Sequence, residues 1–259
     1  MSVVRRRPES IGAPRRGRRK RYAIDKKRLV LSAVLLILGV ELALAAFTSP
    51  FFAVKKIRPV GNKTIPAAEI VQRAKLPGNS NIFLVRKGAV ASRLTKNPVV
   101  KEVRVYRKLP DTLLVCVEER QPHLVLSTAG VLYEVDSSGV PFRVVKRVGT
   151  KLPVISCTIP GRVALGKRLD ALDFASAMEC LLLAREKKIF RVTKITVDRN
   201  DDLCLNVRDE FQVKLGRAEQ LSKKLDIAAQ AMEQIPECRQ RGKYIDMTCP
   251  EAPALKLRE

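Results

Sequence analysis

NPVVKEVRVYRKLPDTLLVCVEERQP, Asn97 to Pro122, decides how the first folded part of this 259-residue chain is built. In its first arm Val99, Val103 and Val105 alternate with Glu102, Arg104 and Tyr106. In the second, Leu113, Val115 and Val117 alternate with Leu114, Cys116 and Glu118. A two-residue period is that of strands buried on one face. Lys108-Leu109-Pro110-Asp111 separates the arms with turn-forming residues, so the stretch predicts a β-hairpin. Its apolar face needs a cover, and the residues upstream supply one. GAVASRLTKN places Val90 and Leu94 at helical spacing and stops before Pro98. PAAEIVQRAK begins with Pro66 in a first-turn position and carries Ile70, Val71 and Ala74 on one face; LPGNSN breaks it. FAVKKIRPVGN reads as a strand closed by Gly61-Asn62. The predicted order is strand, helix, helix, strand, strand.

Further out lies LVLSAVLLILGVELALAAF, Leu29 to Phe47, in which 12 residues are Leu, Ile, Val or Phe and Glu41 is the one charge. A helix of this length rises ~28 Å, close to the ~30 Å of a bilayer's hydrocarbon. Leu29, Leu36, Glu41 and Phe47 are therefore expected in the membrane segment. Each large apolar residue favours insertion by roughly 0.3 to 0.6 kcal/mol against roughly 3 for a central charge, so the span outweighs Glu41. That carboxylate faces a protein neighbour or lies near enough the outer end to reach water. Residues 1–28 hold 12 Lys/Arg against Glu9 and Asp25, whereas only Lys55, Lys56, Arg58 and Lys63 follow closely after the span. The imbalance predicts a cytoplasmic N-terminus and an extracytoplasmic remainder. Ala43 to Ala45 resembles a signal-peptidase site, but the apolar run exceeds a usual signal core and the basic tail is long, which favours an uncleaved anchor.

The net charge of +24 raises the question of nucleic acid. Much of the excess sits in the tail, whose arginine runs lack the aromatic residues that stack bases and offer only phosphate-type attraction; beside a membrane they orient the span and meet anionic lipid. Six cysteines, Cys116, Cys157, Cys180, Cys204, Cys238 and Cys249, follow the span; bridges and buried thiols both remain open. With a single histidine, His123, and no CxxC, a zinc site is not expected.

The order of elements, with IRPVGN at the opening strand and turn, GNSNIFLV between the helices, the Asn97–Pro122 hairpin and then GVLYEVDSSGVPF, resembles the polypeptide-transport-associated (POTRA) domain in its FtsQ/DivIB form. That resemblance implies an α+β protein: a tail (1–28), one transmembrane helix (29–47), a linker (48–53), a β-α-α-β-β POTRA domain (54–121), a β-rich antiparallel-sheet domain with two helices (122–249) and a C-terminal tail (250–259). In the second domain PHLVLST, GVLYEVD, VPFRVVK, TKITVD, LCLNVR, FQVKLG and KYIDMTC read as strands, with turns at Ser137-Ser138-Gly139, Asn200-Asp201 and Asp209-Glu210. One helix, near Leu169 to Lys187, carries Leu172, Ala175, Met178 and Leu182 at helical spacing; the other, near Ala218 to Ile235, carries Leu221, Leu225, Ala228, Ala229 and Met232. PEAPALKLRE reads as a frayed tail.

Residues that could carry chemistry are sparse. GRVALGKR, Gly161 to Arg168, approaches a phosphate-binding loop but ends in Arg168 where Ser or Thr would hold magnesium, so it reads as a surface loop. His123 lacks a nucleophile motif for company. Glu118 and Glu119 are adjacent on a strand, point to opposite faces and cannot flank one scissile bond; the resemblance makes them a recurring feature of the domain's last strand and implies one solvated and one structural charge.

What remains is an edge. KYIDMTC has no strand predicted after it, so one side of its backbone is expected open to a partner strand. The resemblance implies the same: in that family the final strand receives a segment of FtsB, itself paired with FtsL. The candidate partner-binding residues are Lys243, Tyr244, Ile245, Asp246, Met247, Thr248 and Cys249, the first four positions of Tyr244 to Met247 keeping the family's Tyr-Val-Asp-Leu pattern in kind. Thr248 and Cys249 depart from it, with Lys243 or Arg241 as substitutes for the family's arginine. The chain is thus expected to be a non-catalytic, single-pass inner-membrane scaffold of the division septum, with FtsB/FtsL-like partners and without cofactor, metal, nucleic acid or small-molecule substrate. The alternatives are a POTRA protein of export or outer-membrane assembly, and a membrane-tethered enzyme.

Overall fold

The computed structural model describes residues 26–149, 151–187, 191–207, 211–234 and 242–258. The chain divides into two compact units, one ending at Ser49 and one beginning at Pro50. The basic tail expected to orient the span lies outside the described residues up to position 25.

In the first unit α1 runs Lys26–Thr48, 23 residues and thus ~35 Å long. It starts three residues before the expected Leu29 and ends as Pro50 requires. None of its side chains is buried; Leu29, Leu36 and Phe47 are 54%, 71% and 46% exposed, and Glu41 is exposed as well. Hydroxyls are satisfied within the helix, Ser32 Oγ donating to Leu29 O and Thr48 Oγ1 to Leu44 O, both at 2.9 Å, as a lipid-facing segment demands. It is the one described helix long and apolar enough to cross a membrane.

The second unit opens with a 3-10 turn, Pro50–Phe52, followed by β1 (Lys56–Val60), α2 (Ala67–Ala74), α3 (Lys87–Leu94), β2 (Val100–Lys108) and β3 (Thr112–Glu119). The sheet order is β1-β3-β2, with β1 parallel to β3 and β2 antiparallel to it. Ile70, Ala74, Val90 and Leu94 from the helices bury against Val105, Leu113, Val115 and Val117 from the sheet. One detail departs from the sequence period. A bulge between Val100 and Glu102 changes which parity faces the helices, so Val100 is buried while Val99 is only half-buried. Gly61 turns the chain after β1 with φ +86°, and a Cβ there would stand 2.5 Å from the Val117 carbonyl oxygen. Gly61→Ala is expected to cost about 2 kcal/mol or more, from left-handed strain plus a backbone clash, measured as a loss of stability in urea.

From Leu124 onward a nine-stranded sheet forms in the order β12-β11-β10-β9-β8-β7-β4-β5-β6. Its strands are β4 (Leu124–Thr128), β5 (Val131–Val135), β6 (Pro141–Val145), β7 (Val154–Ser156), β8 (Lys194–Val197), β9 (Leu203–Asn206), β10 (Gln212–Gly216), β11 (Gly242–Asp246) and β12 (Ala254–Leu257). The helices are α4 (Leu172–Glu186) and α5 (Leu221–Gln234). The sheet is mixed rather than wholly antiparallel as expected: β4/β7, β7/β8 and β10/β11 run parallel. Parallel neighbours need crossovers, and α4 joins β7 to β8 while α5 joins β10 to β11. Both helices pack on the same core, where Phe174, Leu181 and Leu225 meet Ile155, Ile195, Leu205 and Val213.

The predicted stripe on α5 is buried at Leu221, Leu225 and Ala228 and half-buried at Ala229 and Met232; Lys224 joins it, its ammonium donating to Leu215 O at 2.6 Å and Arg217 O at 3.0 Å. The stripe on α4 is corrected. Leu172 is 82% exposed and Leu182 47%, while Phe174, Ala177, Cys180, Leu181 and Ala184 face the core. The helix is apolar nearly all round, so spacing allowed two faces and the larger Phe174 took the inside. Cys116, Cys157, Cys180, Cys204 and Cys249 are free thiols, burial pushing Cys157 and Cys180 up to about 12; Cys238 lies outside the described residues, as does the Asp209-Glu210 turn.

Candidate protein-binding edge

The expected open edge at β11 is occupied. β11 pairs in parallel with β10, Gln212 opposite Tyr244 and Lys214 opposite Asp246, and on its other side antiparallel with β12, Tyr244 opposite Lys256 and Ile245 opposite Leu255. The segment read as a frayed tail is therefore a strand. Alternation in Ala254-Leu255-Lys256-Leu257 was the available signal, but four residues after Pro253 are too few to separate a strand from a tail by period alone. Leu255 packs on the core, Leu257 is 42% exposed, and the outer side of β12 carries no strand among the described residues. An edge of this kind presents alternate N–H and C=O groups to its surroundings.

The seven candidate residues divide by face. Ile245 and Met247 point into the core at 2% and 0% exposure, and Met247 N donates to Lys214 O at 2.7 Å. Tyr244 and Asp246 lie half-buried on the opposite face. The Lys214 ammonium sits 3.9 Å from the Tyr244 ring centroid, a cation–π contact across the sheet. Burial alone would raise the Asp246 pKa, but hydrogen bonds from the Thr248 hydroxyl and backbone and the nearby Lys214 charge hold it below the usual range. Lys243, Thr248 and Cys249 are exposed, Cys249 Sγ lying 3.5 Å from Glu251 Oε2; Arg241 is outside the described residues.

The other three sheet edges are guarded. β1 carries Pro59, β6 opens with Pro141, and β2 presents Lys101, Arg104, Arg107 and Lys108. Proline and charge are the usual means of discouraging strand addition. β12 has only Lys256 between two leucines.

A polar junction joins the three-stranded and nine-stranded parts. Glu119 is 6% exposed, and its carboxylate accepts from Lys63 N at 2.7 Å, Thr64 N at 2.9 Å and Ile65 N at 3.0 Å, and also from the Thr64 hydroxyl. Burial alone would raise its pKa; those donors outweigh burial and bring it to about 2. Glu118, on the other face, is exposed and pairs with Lys101, so the expected division into one structural and one solvated carboxylate is observed. The next residue, Arg120, forms an ion pair with Asp136 at side-chain exposures of 14% and 6%, and its Nε donates to Pro98 O at 3.2 Å. Asp136 Oδ1 also accepts from Ser138 N at 2.9 Å and Val140 N at 3.0 Å. Arg143 donates to Glu134 and to Thr64 Oγ1, each at 3.3 Å, and so spans the same boundary. The sequence reading missed this junction, although Asp136 ahead of Ser137-Ser138-Gly139 is a side-chain-stabilised turn signal.

The other residues weighed for chemistry are accounted for. The His123 ring lies against the Arg185 guanidinium, whose Nη2 donates to His123 O at 3.4 Å; burial, then the Arg185 charge, lowers its pKa and favours the neutral ring. Gly161 to Arg168 is loop and turn, and α4 begins only at Leu172, so Lys167 does not open a helix as a phosphate loop requires.

Comparison with known proteins matches residues 52–120 to the POTRA domain, FtsQ-type, and residues 125–248 to the family described as cell division protein FtsQ/DivIB, C-terminal. Similar proteins include cell division protein FtsQ of Syntrophotalea carbinolica, 29% identical over 247 residues, covering 82% of this chain and 87% of that one. FtsQ of Streptomyces collinus is 27% identical over 232 residues, 87% of this chain and 86% of the relative. Cell division protein DivIB of Clostridium acetobutylicum is 29% identical over 99 residues, 38% of this chain and 40% of the relative. With both profiles in their expected order behind one apolar helix, and relatives matched over most of their length, the chain belongs to the FtsQ/DivIB family of bacterial cell division proteins.

Proposed function

We propose that the chain is a non-catalytic, single-pass scaffold of the division septum, N-terminus in the cytoplasm, that gathers FtsB/FtsL-like single-pass partners outside it by adding a partner strand to β12. The open outer side of β12 carries this reading: it is the sheet's least guarded edge, and main-chain pairing gives affinity without demanding a particular side chain. Family membership supports a role among division proteins, and α1 supports anchorage. Tethering raises the effective concentration of the edge for partners in the same membrane. Lys243, Tyr244, Ile245, Asp246, Met247, Thr248 and Cys249 serve one strand further in: Ile245 and Met247 seat β11 on the core, Tyr244 and Asp246 offer side chains along the opposite face, and Lys243, Thr248 and Cys249 are exposed.

Lys256→Pro tests the edge, because proline removes a strand N–H and resists a ladder on either side. Capture of an FtsB-like segment is expected to fall at least ~10-fold, equivalent to about 1.4 kcal/mol. Lys256→Ala, which keeps the backbone, should bind nearly as before. Undiminished capture by the proline variant, with an unchanged melting temperature, would show that the partner docks elsewhere.

A further inference from the structure

One end of the POTRA sheet takes no part in the junction. There β1 begins at Lys56, β3 at Thr112 and α3 at Lys87, and β2 finishes at Lys108. Backbone bonds gather the incoming chain onto it: Ile82 N donates to Phe52 O at 2.8 Å, Val54 N to Ser80 O at 2.9 Å and Lys55 N to Asp111 O at 2.9 Å. Arg107 Nη2 donates to Phe83 O at 2.9 Å and Val85 O at 3.0 Å. Residues 51–56, 80–87 and 107–112 therefore form one rim. It holds Lys55, Lys56, Arg86, Lys87, Arg107 and Lys108 against a single acid, Asp111, which accepts a hydrogen bond from Thr112. All six cations are exposed and without an ion pair among the described residues, Arg107 being bonded to backbone carbonyls instead. Among them stand Phe51, Leu84 and Leu109, 61%, 64% and 55% exposed.

Covalent reach decides what lies opposite. α1 ends at Thr48 and the rim begins at Phe51. At ~3.5 Å per residue the intervening chain extends no more than ~10 Å, comparable with the ~8 Å Debye length at physiological salt. An acidic protein would match the charges, but only the bilayer is held within this distance by the chain itself. Large apolar side chains interleaved with lysine and arginine are what a surface lying in the lipid headgroup region needs. We infer that this rim is a second membrane contact, its basic residues taking anionic phospholipid headgroups while Phe51, Leu84 and Leu109 enter the interfacial layer. The inference rests on α1 being a membrane anchor.

The chain has no tryptophan, so Leu109→Trp gives the full-length protein a single emission reporter. Reconstituted in phosphatidylcholine vesicles containing phosphatidylglycerol and a headgroup-proximal doxyl lipid, this reporter should be blue-shifted and quenched. Quenching should fall several-fold without phosphatidylglycerol, or in ~1 M salt, where screening shortens to ~3 Å. Lys55→Gln, Lys56→Gln, Lys87→Gln and Lys108→Gln should each weaken it, by up to roughly 5-fold, with unchanged circular dichroism. Lys96→Trp, beyond the far end of α3, should stay unquenched. Leu109→Trp quenched no more than Lys96→Trp, in vesicles from which carbonate does not extract the chain, would overturn the inference while leaving the anchor intact. A blue shift without lipid quenching would assign the rim to a protein and overturn it equally. Extraction by carbonate would defeat the anchor reading, and the inference with it.

Discussion

Arg120→Ala is expected to destabilise the folded protein by about 3 kcal/mol, the lower part of the range for breaking one side of a buried ion pair. The pair is nearly dry, with side-chain exposures of 14% for Arg120 and 6% for Asp136, so solvent screens it little. Alanine also strips a donor from Pro98 O, while Asp136 keeps Ser138 and Val140, which is why the cost stays toward the lower end. Urea unfolding measures the loss, and a cycle with Asp136→Asn separates the pairwise part from the packing of the long arginine stem. Because Arg120 follows β3 and Asp136 follows β5, strands of different sheets, limited proteolysis should cut first near residues 120–123 in the variant. Burial alone would raise the Asp136 pKa, but hydrogen bonds from Ser138, Val140 and Arg120 hold it low; its contribution is therefore present above its ordinary value and lost in acid. The stability gap between wild type and Arg120→Ala should close as pH falls below that range.

Glu119→Gln is expected to cost a similar amount at neutral pH. A carboxyl held at about 2 instead of 4.5 corresponds to ~3 kcal/mol at about 1.4 kcal/mol per pH unit. The cause is geometric: burial alone would raise the value, but the Thr64 hydroxyl and the backbone N–H groups of Ile65, Thr64 and Lys63 converge on the carboxylate from the turn after Gly61 and prefer a full negative charge. Since the folded pKa is depressed, the stabilisation is complete above about 4.5 and disappears as pH falls through about 2. Urea midpoints of wild type and Glu119→Gln should thus differ clearly at pH 7 and converge near pH 2. A gap that persisted undiminished at pH 2 would mean that the side chain acts by shape, not charge.

The POTRA half was the more legible from sequence, because its hairpin alternates over many residues and its helices are bounded by Pro66 and Pro98. Even there the bulge beside Val100 was invisible, since a one-residue insertion leaves the composition of a strand unchanged. In the second half β7, three residues long, offered no period to read, and β12 barely more. Parallel pairing was hidden for another reason: strand direction depends on where α4 and α5 carry the chain, not on any residue within the strands. The expectation that β11 is the sheet's open edge missed by one strand for the same cause. The motif around Tyr244 was found by likeness, but whether a strand is outermost is a property of its neighbours.

The nine-stranded sheet also sets a distance. β6, at one extreme, lies beside the junction through Arg143, whereas β12 is at the other, eight inter-strand steps away. At ~4.8 Å per step the sheet measures ~38 Å across, wider than a single helix-sized ligand by severalfold. It behaves as a spacer bar, so that two visitors, one lodged at the outermost strand and one against the POTRA domain, need not exclude each other.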